Sequence, residues 1–149
     1  MTRSASGWRL ASAVVLAVAL LAALTAQGSG ASQPGSDCHG EKATIKGTHG
    51  DDVLYGTSHR DVIQAWGGND VIKGRGGDDL ICADKGDDRV FGGAGEDEIH
   101  GRRGDDHIYG GPEGDLLFGD PGDDLLDGGA GPDICETGVG FDFTRDCES

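Results

Sequence analysis

The sequence predicts an all-β fold, a parallel solenoid of stacked short strands, and three observations lead there. A nine-residue pattern runs without insertion or deletion from Gly47 to Glu136. The first nine of its ten blocks carry an aliphatic residue flanked by two positions of the opposite facing, the alternation of a short strand. Glycine supplies 29 of 149 residues while aromatics make up 5%, too little large apolar material for an ordinary globular core. Glycine this abundant, without a three-residue collagen period, leaves disorder or a turn-dominated repeat, and the strict period favours the repeat.

The N-terminus reads as an export signal. Arg3 and Arg9 flank a segment without acids, Leu10 to Leu24 is apolar, and small residues follow from Ala26 to Ala31. That order is the basic, apolar and cleavage regions of a secretory signal peptide. The apolar run is shorter than the roughly 20 residues of a membrane-spanning helix. Residues 1–31 are therefore expected to be removed, with cleavage between 26 and 31. The mature chain then holds 10 basic against 27 acidic residues, a charge of −17. An anionic surface argues against nucleic acid and against anionic membranes as partners, and favours cations. Export places the chain where disulfides persist.

Residues 32–46 form an expected N-terminal cap, in which Ala43 to Lys46 reads as one more strand. From Gly47 the blocks are GTHGDDVLY, GTSHRDVIQ, AWGGNDVIK, GRGGDDLIC, ADKGDDRVF, GGAGEDEIH, GRRGDDHIY, GGPEGDLLF, GDPGDDLLD and GGAGPDICE. Position 6 is aspartate in all ten: Asp52, Asp61, Asp70, Asp79, Asp88, Asp97, Asp106, Asp115, Asp124 and Asp133. Position 8 is aliphatic in the first nine, from Leu54 to Leu126. Glycine recurs at positions 1 and 4, where a sharp turn profits from positive φ. Pro112, Pro121 and Pro132 all fall in the turn portion. Each block thus predicts a six-residue turn followed by a three-residue strand.

One such unit cannot bury its aliphatic residue alone, but stacked units can. Two blocks make one coil with a strand on each of two facing sheets, so ten blocks give about five coils, roughly 24 Å long. Asp52, Asp70, Asp88, Asp106 and Asp124 then line one edge, and Asp61, Asp79, Asp97, Asp115 and Asp133 the other. Stacked carboxylates about 5 Å apart repel by about 3 kcal/mol per pair at an effective dielectric near 20. A divalent cation between coils reverses that sign. Calcium suits the turns because it takes six to eight oxygen ligands in flexible geometry; magnesium demands a tighter octahedron, and zinc prefers Cys or His. The competing reading has each carboxylate capping its own turn through backbone N–H groups. Position 5 is also Asp or Asn in six blocks, which favours cations.

The blocks resemble the G-G-x-G-x-D-x-U-x nonapeptide of the RTX, or haemolysin-type, calcium-binding repeats. The resemblance covers about 90 residues. It implies a parallel β-roll with calcium held between turns by the position-6 aspartates and turn carbonyls. Departures occur at His59 and Arg60 in block 2, at Glu113 and Gly114 in block 8, and at Ala65 and Ala83 in place of a leading glycine. Sites beside blocks 2 and 8 are therefore expected to be weakest. Five turns per edge leave four gaps, so about eight calcium ions is the upper bound.

Residues 137–149 are expected to form a C-terminal cap. Four cysteines in an exported chain suggest two disulfides, with three connectivities open. Cys135–Cys147 is favoured because it folds the tail over the open end, which leaves Cys38–Cys82 to fasten the N-terminal cap. The five histidines fall at unrelated repeat positions and read as scattered surface residues. Positions 7 and 9 should face outward, with Tyr109 beside Phe91. No spacing supports a catalytic triad or an HExxH zinc motif, and the outward positions lack the threonine rows of an ice-binding solenoid. The expectation is a secreted, non-catalytic calcium-binding protein that folds on binding extracellular calcium. The alternative is a calcium-scaffolded adhesive or structural module of the cell surface or matrix.

Overall fold

A computed structural model describes residues 37–148. The expected signal segment and residues 32–36 of the N-terminal cap lie outside these. Strands β1 (Asp37–Cys38) and β2 (Glu41–Lys42) form an antiparallel hairpin. The remaining strands follow the nine-residue period: β3 (Ile45–Lys46), β4 (Val53–Tyr55), β5 (Val62–Gln64), β6 (Val71–Gly76), β7 (Leu80–Lys85), β8 (Arg89–Ala94) and β9 (Glu98–Arg103). Then come β10 (His107–Gly111), β11 (Leu116–Phe118), β12 (Leu125–Gly129), β13 (Ile134–Glu136) and β14 (Phe143–Arg145). They form two six-stranded parallel sheets, ordered β14-β12-β10-β8-β6-β4 and β13-β11-β9-β7-β5-β3. The first is built by odd-numbered blocks and is called the odd sheet; the second is the even sheet.

This is the parallel β-roll, and its register is the predicted one. Residues 18 apart pair throughout, as in Ile72 with Val90 and Ile81 with Ile99. The roll has about six turns, not five, because the pairing continues at both ends. β3 pairs with β5, and β14 pairs with β12. Thr137 to Arg145 is thus an eleventh block, with Asp142 at position 6. The expected C-terminal cap extends the odd sheet before it closes.

The strands are also longer than three residues in the middle of the roll. β6 to β9 each hold six residues, running from position 7 through position 3 of the next block. The turn contracts accordingly to positions 4 to 6. The chain bends at position 2, where φ is positive in every block from the third to the tenth: Trp66, Arg75, Asp84, Gly93, Arg102, Gly111, Asp120 and Gly129. β5 and β11 meet the same bend yet stop at three residues, so the longer strands rest on ladder pairing beyond it. Five of these are not glycine, and an L-residue there costs about 1–2 kcal/mol. The neighbouring coils supply the compensation, since Arg75 pairs with Gly93 and Asp84 with Arg102 in the ladders.

Positions 6, 8 and 1 point inward, the period-two consequence of a strand. Ile63, Ile72, Ile81, Val90, Ile99, Ile108, Leu117 and Leu126 form a column with no exposure, with Ala65 and Ala83 beside them. Burying each aliphatic side chain is worth about 1.5–3 kcal/mol. Outside, Phe91 and Tyr109 stack with centroids 5.0 Å apart and planes 8° from parallel. Lys73 bridges Tyr55 and Phe91 at 5.8 and 5.9 Å, and Arg145 pairs with Asp127 farther along the same row. Position 9 of the odd sheet is therefore a cross-strand ladder. The even sheet differs. Its outward Val62, Leu80 and Cys82 are buried with Cys38 and Ala43 under the N-terminal hairpin, forming a second small core.

Candidate metal centre

The position-6 aspartates sit where strand meets turn, and the alternation that buries position 8 buries them too. Asp61, Asp70, Asp79, Asp88, Asp97, Asp106, Asp115, Asp124 and Asp133 are all buried; Asp52 is half-buried in the first turn. The structure brings them into the two predicted edge rows. Within a row the spacing is set by a repeated bond. The amide of each aspartate donates to Oδ1 of the aspartate 18 residues later, at 2.7–2.9 Å, from Asp52 N–H to Asp70 through Asp124 N–H to Asp142. One carboxylate oxygen per turn thus ties successive coils together.

The other oxygen has no such role. Oδ2 of Asp70, Asp79, Asp88, Asp97, Asp106, Asp115, Asp124 and Asp133 is buried and has no hydrogen-bond partner. It points across its own turn onto the position-1 residue. At Gly74, Gly92, Gly101, Gly110, Gly119 and Gly128 an added Cβ would fall closer than 3.0 Å to that oxygen. Position 1 is therefore glycine or, as at Ala65 and Ala83, alanine, because the carboxylate occupies the space a larger side chain would take. A buried, unpartnered carboxylate oxygen is costly unless a cation or proton answers it. Burial pushes these carboxyls up from their ordinary range: Asp79, Asp115 and Asp124 to about 6, Asp88 and Asp97 to about 7, and Asp106 to about 8. Asp70 is raised for the same reason. The backbone bond to Oδ1 lowers each of them but does not offset the burial.

Asp52 and Asp61 are different, and here the competing reading of self-capped turns holds. The amide and hydroxyl of Thr48 donate to Asp52 Oδ2 at 2.6 and 2.9 Å. Thr57 does the same to Asp61 at 2.7 and 2.9 Å. In both blocks position 2 lacks the positive φ of blocks 3 to 10, so its amide faces the carboxylate. Block 8, by contrast, keeps the open geometry despite Glu113 and Gly114. Asp115 is fully buried with Oδ2 free, and its Oδ1 holds the Asp97 amide at 2.8 Å. The residues that close a turn on its own carboxylate are thus the threonines of blocks 1 and 2.

The two edges also differ in a second row. On the odd edge the position-5 side chains of Asp51, Asn69, Asp87, Asp105 and Asp123 each accept the position-5 amide of the following coil, at 2.8–3.1 Å. These bonds run opposite to those of position 6, so each odd turn is clasped from both sides. The even edge keeps one such link, Asp78 to the Glu96 amide. Its other position-5 residues are Arg60, Gly114 and Pro132.

What the edges present is a periodic set of oxygen donors: free carboxylate oxygens inside glycine-lined turns. The family model of the RTX calcium-binding nonapeptide repeat (4 copies) matches residues 46–81, 83–115 and 109–143. The chain belongs to the RTX calcium-binding repeat family. No curated protein and no solved structure matches it. The donor set of this RTX roll fits the family's ion: all oxygen, anionic, and left unpaired by the protein itself, as a hard cation with flexible coordination requires. The two disulfides, Cys38–Cys82 and Cys135–Cys147, pair as favoured from the sequence and suit an oxidising compartment.

The histidine reading is corrected. His39 and His100 are not scattered, since their rings stack with centroids 3.9 Å apart. No repeat position announces this, because His39 lies outside the periodic blocks.

Proposed function

We propose that this RTX roll is a secreted, non-catalytic protein that completes its folding by binding calcium outside the cytoplasm. The eight buried, unpartnered Oδ2 atoms carry this reading. A row of such oxygens opposes the calcium-free fold, and a divalent cation between coils turns the same row into cross-links. Binding free energy then becomes folding free energy. The N-terminal apolar segment and the two disulfides support an extracellular setting. The acids fall on the repeat register, which supports ion binding over hydrolysis.

The ions would be held by Asp70, Asp88, Asp106 and Asp124 on one edge and by Asp79, Asp97, Asp115 and Asp133 on the other. Four open carboxylates per edge bound three gaps per edge, so six ions are expected. Asp52 and Asp61, with their threonine caps, contribute least. The decisive experiment is a calcium titration of the mature chain by calorimetry with parallel circular dichroism. About six equivalents and a calcium-dependent gain of strand signal are expected. Strand signal that persists unchanged in excess chelator overturns the coupling of binding to folding.

A second reading, a calcium-scaffolded adhesive module, draws on the last coil. Val139, Phe141 and Phe143 are among the most exposed large apolar residues of the described chain. Calcium-dependent retention on cell-wall or matrix polymers, lost in Phe141→Ser and Phe143→Ser, would favour it.

A further inference from the structure

The N-terminal hairpin lies on the outward face of the even sheet, fastened there by the Cys38–Cys82 disulfide. Its turn holds His39 at φ 49° and lays its ring on His100 of β9. His100 is buried and also stacks on Phe118, with centroids 4.4 Å apart and planes 2° from parallel. Its Nε2 lies 3.0 Å from Glu98 Oε1, and its Nδ1 lies 3.8 Å from Asp120 Oδ2. One ligand atom each from His39, Glu98 and His100 can be chosen so that all lie within 4.8 Å of one another.

We propose that His39, Glu98 and His100 form a second metal site, separate from the calcium edges, that takes a borderline transition-metal ion of the zinc class. The ligand chemistry separates the two kinds of site. The edges offer oxygen alone, which suits calcium. The outer cluster offers two imidazole nitrogens and one carboxylate, which suits zinc, copper or nickel and not a hard cation. His100 Nε2 and Glu98 Oε1 already lie 3.0 Å apart, close to the separation of two ligand atoms on one metal. Asp120 stands at the other nitrogen of the same ring. At 3.8 Å this carboxylate is beyond hydrogen-bond reach of Nδ1, but its charge favours a proton on that nitrogen and leaves Nε2 for the metal.

Two further features fit. A tetrahedral zinc ion holds its ligand atoms about 3.3 Å apart, and the exposed His39 side chain is free to close that distance by rotating. Beside the cluster is an open cavity of about 570 Å³ whose lining includes Arg102, Phe118 and Asp120. A fourth ligand, water or a small anion, has room there. The site needs both the hairpin and β9, so the ion would clamp the N-terminal hairpin to the roll beyond the disulfide.

The test is zinc chloride titrated calorimetrically into the calcium-saturated mature chain with disulfides intact, with cobalt(II) absorption as the spectroscopic readout. One equivalent of zinc, and the visible bands of four-coordinate cobalt, are expected. Asp120→Asn should weaken zinc by less than about 10-fold, since Asp120 acts through its charge and not through a hydrogen bond. His39→Asn, which retains a residue tolerant of positive φ, and Glu98→Gln should weaken it further while calcium stoichiometry and strand signal stay unchanged. His107→Asn, on the other sheet, should have no effect. No zinc equivalent in the calcium-saturated chain, or zinc binding undiminished in both His39→Asn and Glu98→Gln, overturns the proposal.

Discussion

Thr57 closes both its amide and its hydroxyl on the carboxylate of Asp61, at 2.7 and 2.9 Å. Eighteen residues later, Arg75 occupies the same position with φ of 79°, and Asp79 Oδ2 is left without a partner. The conformation of one position-2 residue thus separates a self-satisfied turn from an open one. Thr57→Gly should open the second turn, because glycine adopts positive φ freely. The expected result is one additional calcium equivalent, between Asp61 and Asp79. The calcium-free chain should lose about 1 kcal/mol with the cap. Calorimetry of the variant beside the parent checks both.

Gly101 shows why position 1 stays small. A Cβ there would lie closer than 3.0 Å to Asp106 Oδ2 and 3.0 Å from the Gly119 carbonyl oxygen. Gly101→Ala should cost about 1 kcal/mol through overpacking, at the low end because the turns of Ala65 and Ala83 admit a methyl group, and should weaken calcium in the adjoining gap. Gly67→Ala is the control, since its Cβ meets nothing nearer than 3.5 Å. Thermal melts in saturating calcium should place the first variant well below the second.

The raised carboxyls fix the direction of the pH response in chelator. Burial pushes Asp88 and Asp97 to about 7 and Asp106 to about 8, whereas an unfolded aspartate titrates near 3.9. The calcium-free roll therefore binds protons that the unfolded chain has released. Its stability should be greatest near pH 4 and fall as pH rises through about 6 to 8. Calcium competes for the same oxygens, so binding should strengthen with pH and release protons. Melts in chelator across this range test the sign, and a melting temperature that climbs from pH 5 to 8 would contradict it. Asp106→Asn should flatten the profile while weakening calcium.

The two disulfides close loops of different length. Cys135–Cys147 spans 12 residues and Cys38–Cys82 spans 44, worth about 3 and 4 kcal/mol on a chain-entropy model. Cys135→Ser with Cys147→Ser should loosen the last coil first, seen as faster amide exchange in Phe143 to Arg145. Cys38→Ser with Cys82→Ser should instead expose Val62 and Leu80 and separate His39 from His100.

The repeat was legible because each position has one physical job. Alternation placed Ile72 and Ile81 inward, the spacing put the ten aspartates into two rows, and both survive in the ladder register. Asp142 was equally legible, nine residues beyond Asp133 with Gly140 at position 4, but Thr144 replaces the aliphatic residue and masks the block. The bend at position 2 was not legible. Trp66, Arg75, Asp84, Arg102 and Asp120 carry it without a glycine to announce it, and ladder pairing with neighbouring coils supports it only at Arg75, Asp84 and Arg102. Nor was the pairing of His39 with His100. It joins an irregular hairpin to a strand 61 residues away and depends on how the Cys38–Cys82 link folds that hairpin back.

The bond from each aspartate amide to the carboxylate 18 residues on makes the molecule a structure counted modulo eighteen. Removing 18 residues anywhere in the middle would leave every remaining contact in phase. Removing nine would keep the strands in register yet exchange the two edges, setting the doubly acidic side of Asp87 and Asp105 against the side of Arg60 and Pro132. Such a chain grows or shrinks safely only by whole coils, and the unlike edges are a record of that arithmetic.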